Sequence, residues 1–380
     1  MKTNKSRVTI VFVSGRKDRL SSKDPMSKEF FYSYHYLKEI VENIEIVEFN
    51  SNQNSKAIKW ILSIFDKTLR KITRLPIFMH EIINKESLNK FKKSTHLIFS
   101  NDRIACSLIP ILIYYKISRK KINTTFFALG AFNENSNNKI VLLLKRIFLK
   151  ILISVVDNIV FLGEGEYKDT KQKYKKHHNK FNFFPFCVDN QFWSSDEINM
   201  SQKEGILFVG NDGKRDFEKV VKISKALPNY KFIFVSSRIN QDDVLNDNVT
   251  LIKGHWNYNL MSDTDLKKLY QKSKITIIPL VESLQPSGQS VALQSMSVGT
   301  PVVISKTKGF WDFSKFSNMK NIILMENNNL DNWVKTIDLL YKDETTLLNI
   351  AKEAKNNVQE EFDISIFNKN LSNLIGITNE

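Results

Sequence analysis

The sequence predicts an α/β protein made of two Rossmann-like, doubly wound parallel-sheet domains. Three observations carry that prediction. Short apolar runs alternate with longer amphipathic stretches, which is the pattern of successive βαβ units. The alternation runs out near residue 183 and starts again at residue 205. A chain of 380 residues that is 42% hydrophobic exceeds one typical domain and can fill two cores.

In order, the first half reads as a strand at 8–14, a helix at 27–42, a strand at 44–49 and basic helices from about 57. Further strands are expected at 96–100, 124–129 and 158–162. The second half gives a strand at 205–210, a helix at 217–227, and strands at 231–236 and 249–252. A helix at 263–272 and a strand at 275–280 follow. The seam is expected in the aromatic segment 183–193. Domains are therefore expected at 1–185 and 186–362, with a helix in 363–380 crossing back to the first domain.

The net charge of +16 is uneven. Residues 1–200 carry 34 Lys and Arg against 19 Asp and Glu; residues 201–380 carry 22 against 21. Only the first domain is then expected to meet a polyanionic surface. Residues 139–156, 57–83 and 111–122 interleave apolar residues with Lys and Arg, which favours an anionic membrane surface. The bland alternative for each is a helix that buries one face on a sheet. No zinc-finger spacing or aromatic RNA-binding motif supports nucleic acid. No uncharged apolar run reaches transmembrane length, and residues 8–13 are too short for a signal-peptide core. Cys106 and Cys187 stand far apart in apolar surroundings, as free thiols of a reducing compartment would.

The most informative stretch is Gln285-Pro286-Ser287-Gly288-Gln289-Ser290-Val291-Ala292-Leu293-Gln294-Ser295-Met296-Ser297-Val298-Gly299-Thr300-Pro301-Val302. A Gly-containing turn after a buried strand opens a helix that ends at Gly299, before another strand. Backbone N–H groups then converge on one point, which suits a phosphate. The stretch resembles the donor-binding signature of the retaining family 4 glycosyltransferases of the GT-B fold, whose helix reads Leu-Glu-Ala-Met-Ala-x-Gly-x-Pro-Val. The resemblance implies two domains facing a cleft. It implies transfer from a nucleoside diphosphate sugar, with retention and without a metal or other cofactor. The implied acceptor is a lipid-linked or cell-envelope glycan, as in polysaccharide or lipopolysaccharide synthesis, and the implied place is the cytoplasmic face of the plasma membrane. The family's two glutamates, one for the donor sugar and one for the ribose, fall on Pro286 and Gln294. An amide oxygen still accepts from a ribose hydroxyl, without the charge-assisted bond of a carboxylate.

The site residues follow from the same resemblance. Ser287, Gly288, Gln289 and Ser290 offer the phosphate and sugar contacts, and Gln294 the ribose contact. In the loop after the strand at 205–210, Gly210 and Asn211 lie beside the donor, and Lys214 and Arg215 neutralise the leaving diphosphate. Gly15, closing the first strand, has two readings: it lets its loop lie close to donor and acceptor, or it belongs to a plain basic loop. His255, with Trp256 and Tyr258, lies where the family contacts the base. Asp102 has two readings, orienting an acceptor hydroxyl or capping the next helix. Glu164 and Glu166 end another strand, either facing the cleft or capping. Asp263 and Asp265 are read as serving a helix dipole rather than as the metal-binding Asp-x-Asp of a different fold. Two rival functions remain: a non-catalytic protein of the same fold that binds a nucleotide sugar or partner, and a UDP-sugar epimerase.

Overall fold

The computed structural model describes residues 4–49, 54–134, 136–195, 197–244, 246–254 and 261–378. The first domain runs β1 (Asn4–Phe12), α1 (Arg16–Ser21), α2 (Tyr34–Ile40), β2 (Val41–Glu48), α3 (Lys56–Thr73), α4 (Met79–Ile82), α5 (Lys85–Lys93), β3 (His96–Phe99), α6 (Asp102–Ile117), β4 (Asn123–Ala128), α7 (Lys139–Val155), β5 (Asn158–Phe161), α8 (Glu164–Lys173) and β6 (Phe181–Phe183). The rest runs β7 (Ile206–Val209), α9 (Phe217–Ala226), β8 (Phe232–Val235), β9 (Val249–Ile252), α10 (Asp263–Lys272), β10 (Ile275–Ile278), α11 (Gln289–Ser297), β11 (Val302–Ser305), β12 (Ile323–Met325), α12 (Leu330–Lys342), α13 (Glu344–Glu361) and α14 (Ile364–Ile375).

Two six-stranded sheets result, ordered β2-β1-β3-β4-β5-β6 and β12-β11-β10-β7-β8-β9, with every strand pair parallel. Parallel strands buried on both faces should be apolar throughout, not alternating. β10 (Ile-Thr-Ile-Ile) and β11 (Val-Val-Ile-Ser) are buried at every position. Each sheet separates two apolar layers, and Ile278 and Ile277 of β10 point into opposite ones. In the second sheet the winding reverses between β7 and β10, and in the first between β1 and β3. Loops leaving adjacent strands in opposite directions open a crevice at the carboxyl edge, the usual ligand position of such sheets.

One expected helix is broken. Residues 27–42 form a single 3-10 turn at Glu29–Phe31 and then α2, with Tyr32 and Ser33 at positive φ of 47° and 65°. Successive side chains are anchored in different directions: Glu29 to Trp193, Phe31 to Phe12, Tyr32 to Phe127. No single helix face accommodates all three.

The chain leaves the first domain's core at Cys187 and enters the second's at Val188. It returns at α14, whose Phe367, Leu371 and Ile375 pack with Val8, Ile10 and Phe127 of the first sheet. The two crossings touch: Val188 N–H donates to Phe362 O at 2.9 Å, and Ile364 N–H to Val188 O at 2.9 Å. The domains also meet across the cleft, where Glu164 N–H donates to Trp311 O at 3.0 Å. Close approach requires a glycine at 165, since a Cβ there would lie 1.9 Å from Lys308 O.

α3 is turned inside out. Its outward face exposes Ile58, Trp60, Ile61, Ile64 and Phe65, while Asp66 is buried on the inner side. There Asp66 accepts from the N–H groups of Met79 and His80, both at 3.0 Å. α7 packs beside α3 and exposes Ile140, Leu143 and Ile147.

Candidate functional site

The crevice at the second sheet's winding reversal is built by two loops. The loop after β7 runs from Gly210 to Asp216, and that after β10 from Pro279 to Gly288. They hold each other through Asp216 N–H to Pro279 O (3.0 Å) and Val281 N–H to Lys214 O (3.0 Å). Gly288 takes φ 83° as the residue before α11, a conformation that favours glycine. The first N–H groups of α11, from Gln289 onward, have no helical acceptor.

Arg215 sits at this helix start and is 6% exposed. Its Nη1 donates to Ser287 Oγ at 3.1 Å and its Nη2 pairs with Asp212 at 3.4 Å. Ser287 Oγ donates to Asp212 Oδ1 at 2.9 Å. Arg215 Nε is buried with no partner among the described residues. Burial lowers the guanidinium's pKa, and Asp212 opposes that. Gly210 makes room for the side chain, since a Cβ there would fall 2.4 Å from Nε. A buried cation beside helix N–H groups that lack helical acceptors has the features that suit an anion.

Two cavities open onto Arg215. One, of about 190 Å³, is walled by Val209, Gly210, Val235, Gly254, Met261 and Leu266 and floored by Gln294. The other, of about 210 Å³, is walled by Phe30, Tyr32, Leu129, Leu162, Phe186 and Pro286. Both share Phe30, Asp212, Arg215 and Ser290, so they form one cleft between the domains. A larger groove of about 490 Å³ lies outside α9, where Lys222, Lys225 and Arg238 are offset by Glu218, Asp242 and Asp243. Its cations are exposed and matched by acids, and the buried Arg215 favours the interdomain cleft.

The structure brings Arg215, Gly210, Asn211, Ser287, Gly288, Gln289, Ser290 and Gln294 together around that cleft. Several of their side chains are engaged within the protein. Asn211 ties strand ends together, donating to Gly254 O at 2.6 Å and accepting from Ser237 N–H at 2.6 Å. Gln289 bridges the domains, donating to Leu162 O at 2.9 Å and accepting from Phe186 N–H at 3.2 Å. Gln294, 3% exposed, donates to Glu29 Oε1 at 2.8 Å and accepts from Tyr270 at 3.3 Å. Lys214 is not among the residues lining the two cavities. Gly15, at φ 83° just before α1, lines neither cavity, and its loop is held by Arg16 N–H on Glu48 Oε1 at 2.6 Å. His255, Trp256 and Tyr258 lie outside the described residues.

Some acidic residues are placed differently from the sequence reading. Asp102 neither lines the cleft nor caps α6, because Asn101 is the cap. Asp102 Oδ2 accepts from Leu129 and Ala131 N–H at 3.0 and 3.2 Å, and Glu166 accepts from Gly130 and Phe132 N–H at 3.0 and 3.3 Å. The two carboxyls brace the loop after β4. Burial pushes Asp102 up to about 7 and Glu166 well above its usual range, with Lys145 opposing both. Glu164 pairs with Lys168. Asp263 and Asp265 lie in the first turn of α10 behind the capping Ser262, where the sequence reading put them. Asp263 also joins the domains, pairing with Arg19 at 2.9 Å and accepting from Ser27 N–H at 3.0 Å.

Glu29 was not singled out from the sequence. A lone acid in the run Glu29-Phe30-Phe31-Tyr32 was the available signal, because an acid among buried aromatics needs partners. It is 1% exposed and also accepts from Trp193 Nε1 at 2.9 Å. Burial raises its carboxyl from the ordinary 4.5 to about 7, against the bonds from Gln294 and Trp193 and with a small push from Asp263. Between those values the folded chain holds a proton that the unfolded chain has released. The group's stabilising contribution is therefore present at low pH and is lost as pH rises to about 7. Glu29→Gln should gain on the wild type by on the order of 2–3 kcal/mol between pH 5 and pH 8. Parallel stability curves across that range, from denaturant melts, would refute the assignment.

Among the described residues, no group of three or more His, Cys, Asp or Glu could hold a metal ion, and no helix is long and apolar enough to cross a membrane.

Residues 203–357 match the family model "Glycosyl transferases group 1". A search of curated proteins found no significant match. Among solved structures, Anabaena HepE in complex with UDP-glucose superposes with a TM-score of 0.64 at 11% identity, covering 98% of this chain and 100% of that one. An E. coli structure described as trehalose-6-phosphate bound with UDP-2-fluoro glucose gives 0.65 at 12%, covering 99% and 100%. A Rickettsia africae glycosyltransferase gives 0.63 at 15%, covering 98% and 99%. At these identities the likeness is one of fold: two facing parallel-sheet domains of the GT-B type.

Proposed function

We propose, from the premise that residues 203–357 are a glycosyl transferases group 1 domain, that this glycosyltransferase moves a sugar from a nucleoside diphosphate sugar with retention and without a metal. The observation that carries this reading is Arg215, buried at the start of α11, whose Nε has no partner among the described residues. A departing diphosphate is a multiply charged anion, and a pre-positioned cation with helix N–H groups stabilises it as charge develops. That supply of positive charge within the chain supports metal independence. The nucleotide fits the cavity walled by Val235, Gly254, Met261 and Leu266, and the sugar the one walled by Phe30, Leu129, Leu162 and Pro286. Uracil is the favoured base, because HepE and the E. coli structure carry UDP-sugars. The leaving diphosphate assists deprotonation of the incoming hydroxyl on the same face. The protein's part is electrostatic and positional.

The acceptor is a lipid-linked or cell-envelope glycan reached at the inner face of the plasma membrane. Support comes from α3 and α7, whose outward apolar residues are flanked by Lys56, Lys67, Lys71, Lys139 and Lys150.

The test is thermal stability against UDP, GDP, ADP, CMP and their common sugars, with and without EDTA. A ligand at about a hundred times its dissociation constant adds about 2.7 kcal/mol. A shift with one diphosphate family, unchanged by EDTA, is the expected result. No shift with any of them would leave the non-catalytic reading, which the internal bonds of Gln289 and Gln294 favour.

A further inference from the structure

The cavity proposed for the sugar has two chemically different sides. Its polar side chains come mostly from the second domain, and several are engaged within the protein. Asp212, Arg215 and Ser287 bond to one another at the diphosphate end. Gln289 uses both ends of its amide, on Leu162 O and Phe186 N–H. The opposite wall is made by Phe30, Tyr32, Leu129, Leu162 and Phe186, with Pro286 beside them. Among the described lining residues this wall carries no charge, and the Tyr32 hydroxyl is its one polar side-chain group. That hydroxyl is not free to follow a ligand. Its ring is held among Phe12, Phe127, Phe186 and Phe367, at centroid distances of 6.3, 4.6, 6.0 and 6.3 Å. Pro286 packs on Gly163, where a Cβ would lie 2.8 Å from Pro286 Cβ. A proline offers neither an N–H nor a polar side chain.

We propose that the sugar this protein takes from its donor is a 6-deoxyhexose. The proposal deepens the reading of the cleft as a nucleotide-sugar site and rests on it. C1 of the sugar is tied to the diphosphate at Arg215, so the part of the sugar remote from C1 meets the first-domain wall. There a hydroxymethyl group would give up water and find aromatic and aliphatic side chains that do not replace it. A methyl group gives up no hydrogen bond and gains apolar contact. Gln285 and Ser290, on the second-domain side, remain for the ring hydroxyls. In the transfer the bond from C1 to the diphosphate oxygen breaks and a bond from C1 to the acceptor's hydroxyl oxygen forms. The acceptor's proton passes to the leaving diphosphate, and the methyl group takes no part. Selection is therefore made in binding. An apolar pocket separates such close analogues by about 10–100-fold.

Calorimetric titration of the full chain with matched donors tests this. Glucose, galactose and mannose are each compared with their 6-deoxy counterparts, carried on UDP, GDP and ADP, with the free diphosphates and UDP-N-acetylglucosamine as references. For the nucleotide and configuration bound most tightly, the 6-deoxy donor should bind about tenfold or more tighter than its hydroxylated counterpart. Leu129→Asn puts an amide on the wall and should bring that pair to within about twofold of each other. Leu129 suits the change because it is half-buried and its backbone N–H, not its side chain, bonds to Asp102. Binding of the free diphosphate to the same preparation reports that the variant is folded. Should it not fold, the wild-type pairs decide alone. Equal affinity within each pair, or tighter binding of the hydroxylated sugar, overturns the proposal and leaves the reading of the cleft intact. So does UDP-N-acetylglucosamine binding more tightly than every 6-deoxy donor, or a preference unchanged in Leu129→Asn. Failure of the wild type to bind any of the diphosphates, free or sugar-linked, overturns the reading of the cleft and this proposal with it.

Discussion

Arg215→Ala should abolish the stabilisation that a nucleoside diphosphate sugar gives the protein and lower sugar transfer by about 10²–10³-fold. Three features put this residue above its neighbours. It is the buried cation at the winding reversal of the second sheet, and it touches both cavities of the cleft. Its Nη atoms are braced by Ser287 and Asp212, so the guanidinium is fixed before ligand arrives. Its Nε has no protein partner among the described residues. Lys214, its neighbour, donates its backbone N–H to Asp212 Oδ1 at 2.8 Å and does not line the cleft. Arg215→Lys should recover only part of the effect, since an ammonium keeps the charge and loses the fork. The readouts are ligand-induced thermal shift and kcat/KM on the same preparations. Retained ligand stabilisation in Arg215→Ala would remove the anion-site assignment.

The second large effect is expected far from the cleft. Trp60→Glu together with Phe65→Glu should weaken binding to vesicles of phosphatidylserine and phosphatidylcholine by about a hundredfold or more. Both side chains lie on the exposed face of α3, at 66% and 59% exposure. Burying each in a membrane interface is worth about 1.5–3 kcal/mol, so losing the pair removes a large share of the apolar part of binding. The flanking lysines supply an electrostatic part that falls with salt. The helix cannot simply be rolled inward, because Asp66 anchors its other side by bonding to the start of α4. Thermal shifts with donor nucleotides should be unchanged in this variant, since α3 shares no residue with the cleft. Vesicle binding at wild-type strength would sink the membrane reading. Loss of a self-associated state would reassign the face to contact between copies.

Much of the fold was legible because its signals are local. The bounds 263–272 for α10 agree with the structure, since Ser262 provides a side-chain cap and the apolar strand β10 begins at Ile275. The Gly288 turn and the helix behind it were legible for the same reason: only a few neighbouring residues determine them. Short edge strands were not. β6 and β12 span three residues each, too few for a periodic signal. Nor were α4, α5, α8, α12 and α13 singled out. What sequence could not place was the destination of polar side chains. Asn211, Gln289, Asp102 and Asp263 each look available in the sequence, and each bonds to a backbone or side chain distant in the chain. Those partners exist only once two sheets have formed and docked. The broken segment at Tyr32 and Ser33 has the same origin, since tertiary anchors override a helical pattern.

The paired crossings at Val188 and Asp363 have a mechanical consequence. One tether between two bodies permits twist, swing and roll alike. Here two strands of chain run side by side and are bonded to each other at Val188, so they act as a narrow strap rather than a thread. Bending across the strap remains easy, while twisting shears its hydrogen bonds. The permitted motion is then close to a one-axis swing, which returns the same faces to the same alignment at each closure. Faces that meet through single hydrogen bonds, as Glu29 and Gln294 do, require that repeatability more than they require speed.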